Sequence, residues 1–450
     1  MKRITLTLIA LLSTMCALHA QNKIYVCEGY TYDVFQLDTL GDITPCADGS
    51  INIGLENYLS EDIDSIVFAE PQFPQIKIVY NGSTATVTIP ESFTGVTSSV
   101  NGANVTITNT NTTDEYLYSV SGTSTSGSLT INGEYKLTLE LAGLDLTNTK
   151  GGAIDIECGK RIDLLLKDGT VNNIADCANG AHKGAFYTKG HLEIKGGGTL
   201  NITGNTKHAL CAKEYIEIKK SAGTINILKA MSDGIHCGKG LKGDGDNNFF
   251  KINGGTINME NVGGDCIDSD DYGCVNIKGG TLNLAVTSED VSAIKCDSIF
   301  KMSNGQMNIN VKGRLCEAIR SCYTATFSGG TIVATISGEG SKLVKGKKNT
   351  KVTDTVRNGG DLFFMGTTID VTLDAGTYTK DQSYCTGIRG DKDVEISNGD
   401  IKITVNNSAA LPLHIIGTLN QIGGNITYTA GTPKIGTDNW TGGSRNGQMK

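Results

Sequence analysis

The sequence predicts an all-β protein, a right-handed parallel β-helix of about 25 residues per coil, preceded by a small β-rich N-terminal module. Three observations predict it. Glycine is abundant at 57 residues and proline scarce at 6. Between the glycines the chain alternates Thr, Asn, Ile and Val, a strand-and-turn pattern with almost no helical periodicity. A glycine-led phrase and a second, apolar phrase also recur in step along most of the chain.

The chain opens on Lys2 and Arg3, an apolar run from Ile4 to Met15, and Cys16-Ala17-Leu18-His19-Ala20 before Gln21. That pattern is a secretory leader over residues 1–20, too short to span a membrane as a mature helix. Cys16 is the residue a lipid anchor would use, but Met15 before it fits that signal poorly. The expected location is secreted, periplasmic or on the cell surface. Without the leader, 37 basic residues face 47 acidic ones, a net charge of −10 that disfavours nucleic acid as a partner. No later segment is apolar enough for a transmembrane helix, and a monomer is expected. An acidic β module is predicted over 21–74, with a short strand in Asp62-Ile63-Asp64-Ser65-Ile66-Val67-Phe68. It is expected to cap or precede the first coil. The β-helix is predicted over 75–430 and a polar tail over 431–450.

The residues that follow the glycines set the period: Thr170, Thr199, Thr224, Thr256, Thr281, Gln306, Thr331, Thr368, Asp400 and Asn425. Their spacings are 29, 25, 32, 25, 25, 25, 37, 32 and 25, a basal 25 with insertions. The second phrase centres on Ile154, Phe186, Leu210, Ile235, Ile267, Ile294, Ile319, Val344, Ile388 and Leu413. A third strand follows in each repeat, as in Tyr215-Ile216-Glu217-Ile218 and Val275-Asn276-Ile277. Three short strands bury too little surface to stand alone. Stacked copies pair every strand with its neighbour about 4.8 Å away and line the interior with apolar columns. Gly254-Gly255 and Gly279-Gly280 supply tight corners, and parallel crossovers give the right hand. A β-propeller would need longer blades with aromatic signatures, and Trp440 is the one tryptophan.

The register also reads the cysteines. Twelve follow the leader. Cys237 and Cys296 share an inward column with Ser269 between them, about 9.6 Å apart and too far to bond. Cys316 and Cys385 are likewise separated by a coil, while Cys211 with Cys237 and Cys296 with Cys322 lie at opposite parity. Most are therefore expected as buried free thiols, with Cys27–Cys46 the pair still compatible with a disulfide.

The residue after each central position points outward: Asp155, Tyr187, Cys211, His236, Asp268, Lys295, Arg320, Lys345, Arg389 and His414. Three successive cations at strand spacing repel one another, and an acidic sugar along the row would relieve that. The plain alternative is that their long side chains splay into water and pair with Asp268, Glu317 or Asp297. The ligand-binding candidates are Lys295, Arg320, Lys345, Arg389, His236, Lys347 and Lys348. Asp233, Asp244, Asp246, Asp265, Asp268, Asp270 and Asp271 form a carboxylate cluster. The first six are candidate Ca²⁺ ligands, since calcium takes six to eight oxygens; corner turns also favour Asp without any ion. Two insertions leave the same corner, one acidic at Asp244 and Asp246, the other basic at Lys345, Lys347, Lys348, Lys351 and Arg357. Two such loops could wall a groove beside the charged row.

The phrases Ser232-Asp233-Gly234-Ile235-His236, Gly240-Leu241-Lys242-Gly243-Asp244-Gly245-Asp246 and Asp265-Cys266-Ile267-Asp268-Ser269-Asp270 resemble the bacterial carbohydrate-binding β-helix family, related in fold to pectate lyases. The resemblance covers roughly residues 130–430. It implies binding of cellulose or acidic wall sugars, with calcium at those aspartates. Ser292-Ala293-Ile294-Lys295 and Glu317-Ala318-Ile319-Arg320 depart from it, carrying cations where acids are expected, which favours direct contact with a uronate. The leader, acidic module and tail also resemble those of secreted Bacteroidetes proteins. The expected function is a secreted binder of an acidic polysaccharide, and scarce aromatics argue against crystalline cellulose. A polysaccharide lyase is the alternative, with Arg320, Lys295 or Lys345 as base. A hydrolase would rest on Asp270-Asp271, whose adjacency does not guarantee the needed carboxyl separation. An adhesin or scaffold without a sugar site is the third reading.

Overall fold

The computed structural model describes residues 23–60, 63–69, 71–238, 249–270, 272–348 and 359–436. The expected leader with Cys16 lies outside them, as do Asp62, Asp244, Asp246, Asp271, Lys351, Arg357 and the last fourteen residues. The chain divides into two compact units between Pro74 and Gln75.

In the first unit, Lys23–Glu28 lies between Thr31–Gln36 and Ser65–Val67, antiparallel to both. Ile43–Pro45, Ser50–Ile53 and Glu56–Leu59 form a separate antiparallel meander. Ile24, Val26, Leu40, Ile53 and Tyr58 make its small core. The Cys27–Cys46 disulfide does not form: both thiols are free, because Cys27 is buried in one sheet and Cys46 follows the first strand of the other.

The second unit is the parallel β-helix. The ten central residues stack one to one from Ile154 to Leu413, and none is more than 2% exposed. Each buried large aliphatic side chain in such a column contributes about 1.5–3 kcal/mol. Their ten strands, with four more at the two ends, form one sheet of 14. The glycine-phrase strands stack just as regularly, Thr199 on Thr224 on Thr256 on Thr281. They and the third strands belong to a single sheet of 22 rather than two separate ones. The reason is local. Leu137–Thr147 and Val394–Val405 run unbroken through both faces, bending at Gly143 (φ 84°) and Gly399 (φ 97°) where a turn would otherwise separate two strands. On the inner side, Phe300, Phe327 and Phe364 stack at 5.2 and 4.8 Å between ring centres.

The corner pair Gly279-Gly280 needs glycine twice over, for different reasons. A Cβ on Gly279 would sit 2.3 Å from the Asn253 carbonyl of the coil before, while Gly280 has φ +75°. The N-terminal end of the unit closes on two antiparallel hairpins. Thr84–Thr88 covers Gln75–Asn81, and Val96–Asn101 covers Asn104–Asn109 before parallel pairing begins. Polar Thr and Ser residues there blunt an edge that would otherwise invite further strands. At the other end, Lys434–Ile435 pairs with Leu411–Ile415, so the sheet runs past residue 431.

The inward cysteines follow the register: Cys237, Ser269 and Cys296 are successive neighbours. All twelve cysteines among the described residues are free thiols, and only Cys46, Cys177 and Cys274 of these are not buried. No helix among the described residues is long and apolar enough to cross a membrane.

Candidate functional site

Parallel pairing without slippage makes the outward row continuous. Asp155, Tyr187, Cys211, His236, Asp268, Lys295, Arg320, Lys345, Arg389 and His414 are vertical neighbours coil by coil, and Lys434 adds an eleventh rung. Beside it stands a second row, two residues before each central position. It includes His208, Asp233, Asp265, Ser292, Glu317 and Lys342, and Ser292, Glu317 and Lys342 pair in register. Sequence reasoning singled out Asp233 and Asp265 from this row. Glu317 was expected only as an ion-pair partner, and the same offset applied to every coil also yields His208 and Lys342.

The two rows lean on each other, so the row faces outward yet is largely covered: Asp268 is 3% exposed and Glu317 5%. Most of its charges are paired. Lys295 Nζ donates to Asp268 Oδ1 at 2.9 Å and Asp270 Oδ1 at 2.8 Å, with Asp265 Oδ2 at 3.9 Å. Lys345 Nζ donates to Glu317 Oε1 at 2.9 Å. Arg389 Nε donates to Asp391 Oδ1 at 3.0 Å. The expected repulsion along Lys295, Arg320 and Lys345 is thus relieved mainly from within. His236 likewise bridges carboxylates, its Nδ1 lying 3.2 Å from Asp233 Oδ2 and 3.3 Å from Asp268 Oδ2, and its ring stacks on His208.

Three of the predicted cations stand apart. Among the described residues Arg320, Lys347 and the exposed Lys348 have no carboxylate at ion-pair distance, and the buried Arg320 Nε has no hydrogen-bond partner. Burial, then Arg320 and Lys345, hold the Lys347 amine below its usual range. Lys295 moves the other way: burial opposes its charge, but Asp268, Asp270 and Asp265 outweigh it and raise the amine. Lys295 is therefore a poor base, and Lys345 is committed as a donor to Glu317.

The carboxylates divide by neighbour. Burial, then Asp268, pushes Asp265 up to about 7. Glu317 goes down to about 2, because Lys345, Lys342 and Arg320 outweigh the effect of burial. Burial also opposes the charge of His236, yet hydrogen bonds to Asp233 and Asp268 win and raise it to about 9.

Asp233, Asp265 and Asp268 bring oxygens within 4.8 Å of one another, as do the ligand atoms of His236, Asp268 and Asp270. That spacing would suit a cation, but Lys295 and His236 already occupy this role. A calcium ion needing six to eight oxygens would meet the Lys295 ammonium at contact distance. The described part of the calcium set, Asp233, Asp265, Asp268 and Asp270, therefore does not fit that ion as it stands. Asp244 and Asp246 lie outside the described residues. Both insertions leave the end of a central-sheet strand, Ile235–Cys237 and Lys342–Gly346. Elsewhere, His191, Tyr215 and Phe249 stack face to face at 4.4 and 4.3 Å. Their faces are spent on one another, so they present no flat platform to a crystalline polymer.

A solved structure described as the polysaccharide lyase-like protein from C. thermocellum, in a gadolinium derivative, aligns with a TM-score of 0.41 at 21% identity, over 60% of this chain and 96% of that one. A carbohydrate-binding domain-containing protein of Acetivibrio thermocellus is 25% identical over 138 residues, 28% of this chain and 48% of its own length. This chain thus spans about half the length of that curated relative. The sequence pattern of the family described as carbohydrate-binding domain-containing protein matches residues 101–436, three-quarters of the chain, and the chain belongs to that family.

Proposed function

We propose that this protein is a secreted binder of an acidic, uronate-bearing polysaccharide, which it holds along the outward row of the central sheet. The observation that supports this reading is the charge inventory of the row. Lys295, Lys345 and Arg389 are turned onto carboxylates, whereas Arg320, Lys347 and Lys348 have none among the described residues. A guanidinium presents a planar fork of donors that matches a carboxylate. A sugar carboxylate would pair with the Arg320 guanidinium, and Lys347 and Lys348 would take the next anionic groups. Burial strengthens such contacts relative to exposed ion pairs. Lys295, Lys345, Arg389 and His236 act one step back, by holding the acidic side chains that would otherwise repel the ligand.

The test is retention of the protein in native gels containing polygalacturonate. The double variant Arg320→Ala/Lys347→Ala is expected to weaken retention at least tenfold, and Lys295→Ala much less. Equal retention of wild type and double variant sinks this reading.

A second reading has one observation in its favour. A lyase needs a base for the proton beside the uronate carboxylate, and Lys347, held below the usual lysine range beside Arg320, is better suited than the three bases expected from the sequence. Growth of the unsaturated-product absorbance, lost in Lys347→Ala, would establish a lyase; retention without it leaves a binder.

A further inference from the structure

The glycine-phrase strands carry a second outward face, which the charged row does not use. Asn173, Asn201, Asn226, Asn258, Asn283 and Asn308 stack in register on it. From Asn201 onward, each amide Nδ2 donates to the Oδ1 of the coil before, at 2.7–2.8 Å. Gln306 Nε2 closes the last rung by donating to Asn308 Oδ1 at 3.1 Å. A carboxamide has two N–H donors and two acceptor lone pairs. An interior rung uses one of each along the ladder, so one N–H and one lone pair remain on every coil, and none of these amide atoms is a buried orphan. The result is a donor–acceptor pair repeated about every 4.8 Å along the helix axis.

Over the rungs Asn258, Asn283 and Asn308 lies a groove of about 380 Å³, within the range of small-molecule sites. It continues onto Val333, which stands where the next rung would be and is 45% exposed. Its flank is the outward row Ala285, Asn310 and Thr335. Glu260 is the single charged residue in its lining.

We propose that this groove is a second glycan site, which takes an extended, uncharged polysaccharide strand lying along the helix axis. An anionic chain gains nothing here, since the lining has no cation and one carboxylate. Hydroxyls both donate and accept, so a neutral sugar chain can use both spare groups of each rung. Val333 and Ala285 offer apolar surface for the C–H faces of the rings. The rungs hold one another's rotamers, so little side-chain freedom is left to lose on binding. The inference rests on the ladder and is independent of the acidic-glycan reading.

Native gels containing β-glucan, xylan or mannan test it, with polygalacturonate as comparator. Wild type is expected to be retained by at least one neutral glycan. Ala285→Arg fills the groove without breaking a rung, and is expected to weaken that retention at least tenfold. Asn283→Asp removes one rung's donor at constant size and should act in the same direction, with thermal melts showing that both variants fold. Arg320→Ala/Lys347→Ala should leave neutral retention unchanged. Failure to be retained by any neutral glycan, or full retention in both groove variants, overturns the proposal. Loss of polygalacturonate binding alone would count only against the charged row.

Discussion

Glu317→Gln isolates the central tension of the charged row. Glu317 is 5% exposed and its Oε1 accepts from Lys345 Nζ at 2.9 Å. A carboxyl moved from its usual 4.5 to about 2 favours its ionised form by about 3 kcal/mol more than in water. That figure agrees with the roughly 3–5 kcal/mol lost when one partner of a buried ion pair is removed. The variant should therefore be destabilised by about 3 kcal/mol at neutral pH. Urea is the denaturant of choice, because guanidinium would screen the charges under study. The folded-state value is depressed, so the wild-type advantage is complete above about pH 4.5 and disappears as pH falls through about 2. The same change frees Lys345, and retention by polygalacturonate should strengthen even as the protein weakens. A variant within about 0.5 kcal/mol of wild type at pH 7 would refute the assignment, that being the usual effect of an ordinary surface change. So would a deficit that persists unchanged in acid.

Other expectations follow from the same geometry. His236 is raised from 6.5 to about 9, so its stabilising effect is complete below pH 6.5 and is lost as pH rises through 9. Above about pH 7.5 Asp265, raised to about 7, is largely ionised in both states; the decline in urea midpoint there should be flattened by His236→Gln. Lys295→Met leaves Asp265, Asp268 and Asp270 without their shared cation, and should cost about 3 kcal/mol. Millimolar calcium should recover part of that loss while leaving the wild-type midpoint in place; an equal response of wild type would show that Lys295 is not the resident cation. Thiol titration of a chain starting at Gln21 should find twelve free thiols in urea and far slower reaction in the native state, where burial pushes Cys211 and Cys385 up to about 12. A reductant that lowers the melting temperature would reveal a disulfide among them.

A 25-residue rhythm was legible in the chain because a solenoid repeats one local solution, and inward and outward positions alternate with period two. From that rhythm alone came the coil-by-coil neighbours from Asp155 to His414, the separation of Cys237 from Cys296, and the cations of the site. The long strands through Gly143 and Gly399, which join the glycine-phrase and third strands in one sheet, were hidden because the glycines that bend a strand and those that end one look alike in sequence. Asp268 and Glu317 were nameable as partners from sequence, but the choice between pairing and solvent was hidden for a deeper reason. Whether Lys295 faces solvent, a ligand or Asp268 depends on side-chain direction across two rows and three coils, which spacing along one strand does not encode. Composition and period thus determined which residues become neighbours. Tertiary structure decided which charges neutralise one another and which are left over, because in a covered row each charge must find its partner among whatever groups the adjacent coils bring within reach.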